Sequence, residues 1–195
     1  DEAAKSCARL VGLITELSEI GKLDSNAAAM KLETVDLFEQ LAEVASSVHE
    51  GEDREVQLQL SGMETGAQVT GDAARLRAAF SAILHAILRE QPQGSVVAVE
   101  RRLEYLGDET SAVVIVARET DVQRAYEATP LVFDEKRGGL GLTLPIARRV
   151  IERQGGRVWS PEPAHAEDRA LKSAVVVSLP LRSKAVEETV HFDRR

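Results

Sequence analysis

Three glycines within four residues, Gly138, Gly139 and Gly141, stand directly ahead of a stretch with helical spacing. That stretch runs from about Leu142 to Gln154 and stops at Gly155-Gly156. Glycines before a helix N-terminus let backbone amides approach a phosphate, and the helix dipole favours an anion there. The same pattern also serves as a purely structural turn, and spacing alone leaves both readings open. The other candidate chemistry is thin. The four histidines, His49, His85, His165 and His191, include no pair at metal-ligand spacing. Cys7 is the single cysteine, which excludes an internal disulfide and a cysteine-based zinc site. The neighbouring acids Glu16 and Glu19, and Asp134 with Glu135, read as solvated charges. No Ser-His-Asp arrangement is supported.

The glycines need elements to position them. Residues 4 to about 24 read as a helix, with Leu10, Leu13, Leu17 and Ile20 alternating at spacings of three and four, and Val11 and Ile14 widening the stripe. Such a stripe suits a helix hairpin or a dimeric bundle. Asp36 is placed to cap a second short helix through Val44. From Glu55 the period changes to two, with Val56, Leu58 and Leu60 alternating with polar residues, as in a half-buried strand. A short strand follows around Val69. Asp72 opens a long helix to about Arg89, and Gln91-Pro92-Gln93-Gly94 ends it. Residues 96–103 and 113–116 read as strands joined by a turn at Gly107-Asp108. Residues 119–137 read as irregular. Residues 157–160 and 174–179 are the last strands, the segment between them reads as a polar loop, and residues 183–195 form a charged tail. Helices alternating with hairpins in blocks argue for an α+β sandwich with helices on one sheet face.

Composition narrows the partners. Of 195 residues, 44% are apolar but only 4% aromatic, so the core must be aliphatic. The net charge of -8 disfavours nucleic acid and anionic lipid. No stretch of about 18 apolar residues exists to span a membrane.

The run Gly138-Gly139-Leu140-Gly141-Leu142-Thr143-Leu144-Pro145-Ile146-Ala147-Arg148-Arg149, ending in Gly155-Gly156-Arg157-Val158-Trp159, resembles the last glycine box of sensor histidine kinases. The helix from Asp72-Ala73-Ala74-Arg75-Leu76 to Gln91-Pro92 resembles that family's asparagine-bearing helix. Residues 174–181 are similar to its final strand, and Leu10 to Leu37 to the second helix of its dimerisation hairpin. The likeness covers residues 8 to 182. It implies a two-layer GHKL-type sandwich, a mixed sheet backed by helices, with an N-terminal dimerisation helix. The organisation implied is residues 1–35 as dimerisation and linker helix, 36–182 as the ATP-binding-like domain, and 183–195 as tail. The resemblance further implies a homodimer through the N-terminal helix, a response regulator or another signalling protein as partner, and a cytoplasmic location.

The departures fall on the chemistry. The family's two asparagines correspond to Ala82 and Ala86, and alanine offers no oxygen to Mg²⁺. Arg89 corresponds to a basic residue of the family, or is simply a solvated helix end. Glu119 falls on the adenine-binding aspartate, with Asp121 and Gln123 where glycines belong. Asp121 would then bring a negative charge toward an anionic ligand. Val132-Phe133-Asp134-Glu135 resembles the phenylalanine box, yet only Lys136 and Arg137 separate it from the glycines, so the lid is missing. No histidine carries the phospho-acceptor pattern. The expectation is a degenerate domain whose residual, weak nucleotide site comprises Arg89, Glu119, Gly139 and Gly141, with no catalytic residue, no metal and no cofactor; ATP with Mg²⁺ is disfavoured. The alternatives are a working kinase with its acceptor histidine upstream of Asp1, and a small-ligand sensor reusing the cleft. In this reading Gly139 and Gly141 are essential for folding, and the N-terminal helix stands apart from the domain.

Overall fold

The computed structural model describes residues 2–25, 27–106, 109–137, 141–165 and 168–182. The expected turn at Gly107-Asp108, the first glycines including Gly139, and the charged tail lie outside the described residues.

The expected sandwich is present. Helix α1 (Glu2–Asp24) leads to strand β1 (Glu33–Asp36) and helix α2 (Leu37–Ser46). Strands β2 (Gln57–Gly62) and β3 (Gln68–Gly71) precede the long helix α3 (Ala73–Arg89). The hairpin β4 (Val96–Leu106) and β5 (Glu109–Arg118) follows, then α4 (Val122–Glu127) and β6 (Pro130–Val132). Helix α5 (Thr143–Arg153), β7 (Arg157–Pro161), α6 (Arg169–Lys172) and β8 (Val175–Pro180) complete the fold. The six-stranded sheet has the order β2-β4-β5-β8-β7-β6, and β1 pairs with β3 alone. It is mixed, because β2 runs parallel to β4 while its other pairings are antiparallel.

Period-two alternation assigns the two faces. Val97, Val99, Val114, Val116, Val175 and Val177 pack in one core with Phe38 of α2, Phe80 and Ile83 of α3, and Ile151 of α5. Their neighbours Ala98, Val113, Ile115, Ala117 and Val176 form a smaller cluster on the far face with Val122 and Ala125 of α4 and Leu171 of α6. Both capping expectations hold. Asp36 accepts from the Phe38 and Glu39 amides at 3.1 and 3.4 Å, and Asp72 accepts from the Arg75 amide at 3.1 Å.

Two expectations change. Residues 119–132 are not irregular: a short 3-10 turn, Glu119–Asp121, leads into α4, and β6 pairs with β7, while 133–137 remain outside any helix or strand. A six-residue helix is too short to carry a readable period; burial of Val122 and Ala125 on the far face holds it in place. Nor does α1 stand apart. Leu23 is only 2% exposed, and Leu13 and Ile20 are half-buried where α1 lies against α3 and α5. The expected stripe divides between two faces: Leu13 and Ile20 turn inward, whereas Leu10 and Leu17 stay exposed beside Val11 and Ile14.

Candidate ligand cleft

Helices α3 and α5 are fastened side by side at one end. The Gln154 side chain accepts from the Asp72 amide at 2.7 Å and donates to the Val150 carbonyl at 3.0 Å. Gly71 gives it room, since a Cβ there would stand 2.4 Å from the Gln154 oxygen. Towards the other end, the start of α5 and the later turns of α3 enclose an open cleft of about 590 Å³.

Its floor is the α3 face carrying Ala78, Ala82, His85 and Arg89, with Ser81 and Ala86 beside them. Gly141, Thr143 and Leu144 form the α5 side, and Arg9 and Arg137 complete the wall. Two of the expected site residues, Arg89 and Gly141, therefore meet in one cleft. Glu119 does not line it: it is exposed at the end of β5. Gly139 lies outside the described residues.

The lining carries four basic side chains, Arg9, His85, Arg89 and Arg137, three of them beside carboxylates. His85 and Arg89 share the Glu50 carboxylate, each at 3.3 Å. The Arg89 hydrogen bond, together with the contact from His85, holds the Glu50 carboxyl below the usual glutamate range despite partial desolvation. Among the described lining residues, the side-chain oxygens are the hydroxyls of Ser81 and Thr143. Among the described residues, no cluster of His, Cys, Asp or Glu is arranged to hold a metal ion.

The short connection ahead of α5 is tied inward. Phe133 is buried in the main core, and Arg137 is 8% exposed. The Arg137 guanidinium donates to the Ala174 carbonyl at 3.1 Å and to the Lys172 carbonyl, and lies 3.5 Å from Glu90. Burial lowers the Arg137 pKa and raises that of Glu90. A buried guanidinium with two carbonyl acceptors and a carboxylate nearby has met most of its hydrogen-bonding demand.

The end of β5 departs furthest from expectation. Asp121 does not bring charge into the cleft. It is 4% exposed, 3.2 Å from Arg118 and 2.8 Å from Arg124, and Arg124 also pairs with Asp168. The helix it leads into packs on the far face of the sheet. Gln123 bonds Glu127 at 2.6 Å on the exposed side of that helix.

Gly141 also corrects the sequence reading. Among the described residues, a Cβ on Gly141 would meet nothing nearer than the Thr143 hydroxyl at 3.9 Å. No close packing among those residues requires glycine there. Arg9, His85 and Arg137 were not expected in the site. The helical phase of Ala78, Ala82, His85 and Arg89, spaced four, three and four, could have placed His85; nothing local marks Arg137.

No family model matches the chain. It is 24% identical over 157 residues to the alginate biosynthesis sensor protein KinB of Pseudomonas aeruginosa, covering 77% of this chain but only 26% of KinB. The mycobacterial sensor histidine kinase MprB superimposes with a TM-score of 0.55 at 21% identity, covering 77% of this chain and 98% of that one. The histidine kinase AdeS of Acinetobacter baumannii gives 0.59 at 15% identity over 93% of this chain and 82% of that one. The fold is that of histidine kinase catalytic domains. Among the described residues no helix is long and apolar enough to cross a membrane.

Proposed function

We propose that this chain, built on the histidine kinase catalytic fold, is a signalling module that works by dimerisation or partner docking, without ATP hydrolysis or phosphotransfer. The observation that carries the reading is the cleft floor. Ala82 and Ala86 stand where the resemblance calls for asparagines, and methyl groups cannot ligate a hard cation. The residues present do not fit Mg-ATP. Only Lys136 and Arg137 separate Glu135 from the glycines, too few residues for a lid to shield phosphates from water. Without the bridging cation, each lost charge-assisted hydrogen bond costs about 1.5–3 kcal/mol.

The outer stripe of α1 supplies the docking face. Leu10, Val11, Ile14 and Leu17 are 59%, 63%, 67% and 62% exposed on one side of the helix. Burying each against a second copy is worth roughly 1.5–3 kcal/mol, so a homodimer through α1 is the expected assembly. A response regulator or another signalling protein would then meet the remaining surface. Light scattering at high concentration tests this. The chain should scatter as a dimer, and Leu10→Asp with Ile14→Asp should return it to a monomer. A wild-type monomer, or measurable ATP turnover by the chain, would overturn the reading.

A second reading has its own observation. Arg9, His85 and Arg89 line one cleft without a bound cation's ligands, which suits a small anionic ligand taken up without metal. A melting-temperature screen against small phosphates and carboxylates distinguishes such a sensor from a pure docking module.

A further inference from the structure

The six-stranded sheet ends in two unlike edges. At one, β6 is three residues long and begins at Pro130, a short, proline-bearing edge of the kind that resists further pairing. At the other, β2 runs six residues, Gln57–Gly62, with no proline and no charge in it, and among the described residues no strand pairs with its outer side. The Gln57 and Met63 amides donate inward, to the Ser95 and Arg101 carbonyls at 2.9 and 2.8 Å. Backbone groups alternate sides along a strand, so those of Leu58 and Leu60 turn to the open edge, and Leu60 is 38% exposed.

A groove of about 440 Å³ lies between this strand and the end of α2. Val48, Val56, Leu58 and Leu88 give it apolar walls, and Glu50 and Glu52 add carboxylates. The turn into β2 is acidic. Glu52, Asp53 and Glu55 are exposed there, and Glu64 is exposed beyond the strand's other end. The base in that turn, Arg54, is directed inward: it donates to the carbonyls of Leu88, Arg89 and Gln91 and lies 3.9 Å from Asp53. Glu52 meets His49 at 2.8 Å.

These acids select among occupants. A second copy added antiparallel in centred register would set Glu55 against the other copy's Glu64, and like charges opposite each other destabilise a strand pair. A basic segment gains where a second copy loses. We propose that the outer edge of β2 takes up an extended basic segment of a partner protein as an added antiparallel strand, with one apolar side chain in the groove beside Leu58. Main-chain hydrogen bonds to Leu58 and Leu60 supply the affinity and the groove supplies the selectivity, as in strand addition generally. Antiparallel pairing is the slightly more stable. It brings the C-terminal end of the segment to Glu52, Asp53 and Glu55, so the basic residues belong at that end. The inference rests on the docking-module reading, and it names the partner's chemistry and a surface distinct from the α1 stripe.

The probe is the end-blocked peptide Thr-Val-Thr-Val-Thr-Lys-Val-Lys, titrated into the whole isotope-labelled chain by NMR; the control peptide has glutamates in place of the lysines. Near saturation the basic peptide should shift the Leu58 and Leu60 amides and slow their hydrogen exchange about tenfold, while the acidic one leaves both unchanged. Asp53→Lys with Glu55→Lys, both on the exposed turn, should weaken binding about tenfold. Leu60→Pro removes an outward amide that β4 does not use and should abolish binding; if that variant does not fold, the charge reversal decides. No shift at Leu58 and Leu60, equal affinity for the two peptides, or undiminished binding by either variant would overturn the proposal. So would Leu58 and Leu60 amides already protected in the peptide-free chain. Protection independent of concentration would mean that the chain covers its own edge, and protection that grows with concentration that a second copy does. A monomeric chain or measurable ATP turnover would sink the docking-module reading and leave these results in place, so the two failures are distinguishable.

Discussion

At the C-terminal end of α5, Gly155 adopts φ +77°, and a Cβ on Gly156 would stand 2.6 Å from the Ser178 carbonyl. At its N-terminal end, Gly141 meets only the Thr143 hydroxyl, at 3.9 Å, among the described residues. One sequence pattern therefore contains two kinds of glycine. The pair at the C-terminus lets the chain leave the helix and run against β8, a requirement of packing that holds with or without a ligand. Among the described residues nothing imposes such a requirement on Gly141, which lies on the cleft wall. A related contrast separates the head of α5 from the end of β5. The head of α5 keeps Gly141 on the cleft wall, while the end of β5 is a 3-10 turn and a helix packed on the opposite face.

Several substitutions sharpen or break this contrast. The largest effect is expected at Arg137, which ties the connection ahead of α5 to the start of β8. Arg137→Met leaves the Ala174 and Lys172 carbonyls without their donor, and each unsatisfied buried acceptor costs about 1–3 kcal/mol. Urea denaturation should record that loss; a cost below about 1 kcal/mol, the scale of an exposed ion pair, would mean the guanidinium is not what holds this segment. Next comes the glycine pair itself. Gly156→Ala should destabilise by about 1–3 kcal/mol through overpacking against Ser178 and Ile151. Gly141→Ala should stay within about 0.5 kcal/mol. Equal melting temperatures for the two variants would erase the distinction.

A smaller, pH-dependent effect is expected at Asp72, where the two cleft helices begin to pair. Burial alone would raise its pKa, but amides from Lys31 and Arg75, with the Arg75 charge, hold the carboxyl below the usual aspartate range. A depressed carboxylate stabilises the fold above its unfolded pKa, and that contribution is lost as pH falls through the folded value. Asp72→Ala should therefore cost about 1 kcal/mol at neutral pH, as a lost helix cap does. The deficit should shrink in acid below the usual aspartate range. A deficit that persists undiminished there would assign the cost to something other than the ionised carboxylate.

The elements with long, regular periods were legible in the sequence: the α3 stripe through Leu76, Phe80, Ile83 and Ile87, and the caps at Asp36 and Asp72; the strand β2 was found, but its expected alternation fails at Leu60, which is exposed, and Val56 precedes the strand. The glycine run identified the start of α5 and, with Arg89, one wall of the cleft. What the sequence hid was the result of short or long-range contacts. Helix α4 is six residues long, below any readable period. The charge on Asp121 was visible, but its neutralisation by Arg118 and Arg124 depends on which face of the sheet the chain crosses. The alternation of Leu10, Leu13, Leu17 and Ile20 implied a single stripe, whereas α1 turns two different faces to the domain and to solvent. Arg137 reaches carbonyls more than thirty residues away, and no local pattern announces such a partner.

The central claim is that the cleft keeps Gly141 on its wall but has lost the means to hold Mg-ATP. Calorimetric titration of the chain with ATP, with and without Mg²⁺, tests it most directly. The account predicts no heat that depends on Mg²⁺ and, at most, weak binding that is the same in its absence. Mg-dependent ATP affinity in the low micromolar range would contradict it and return the chain to the working kinases.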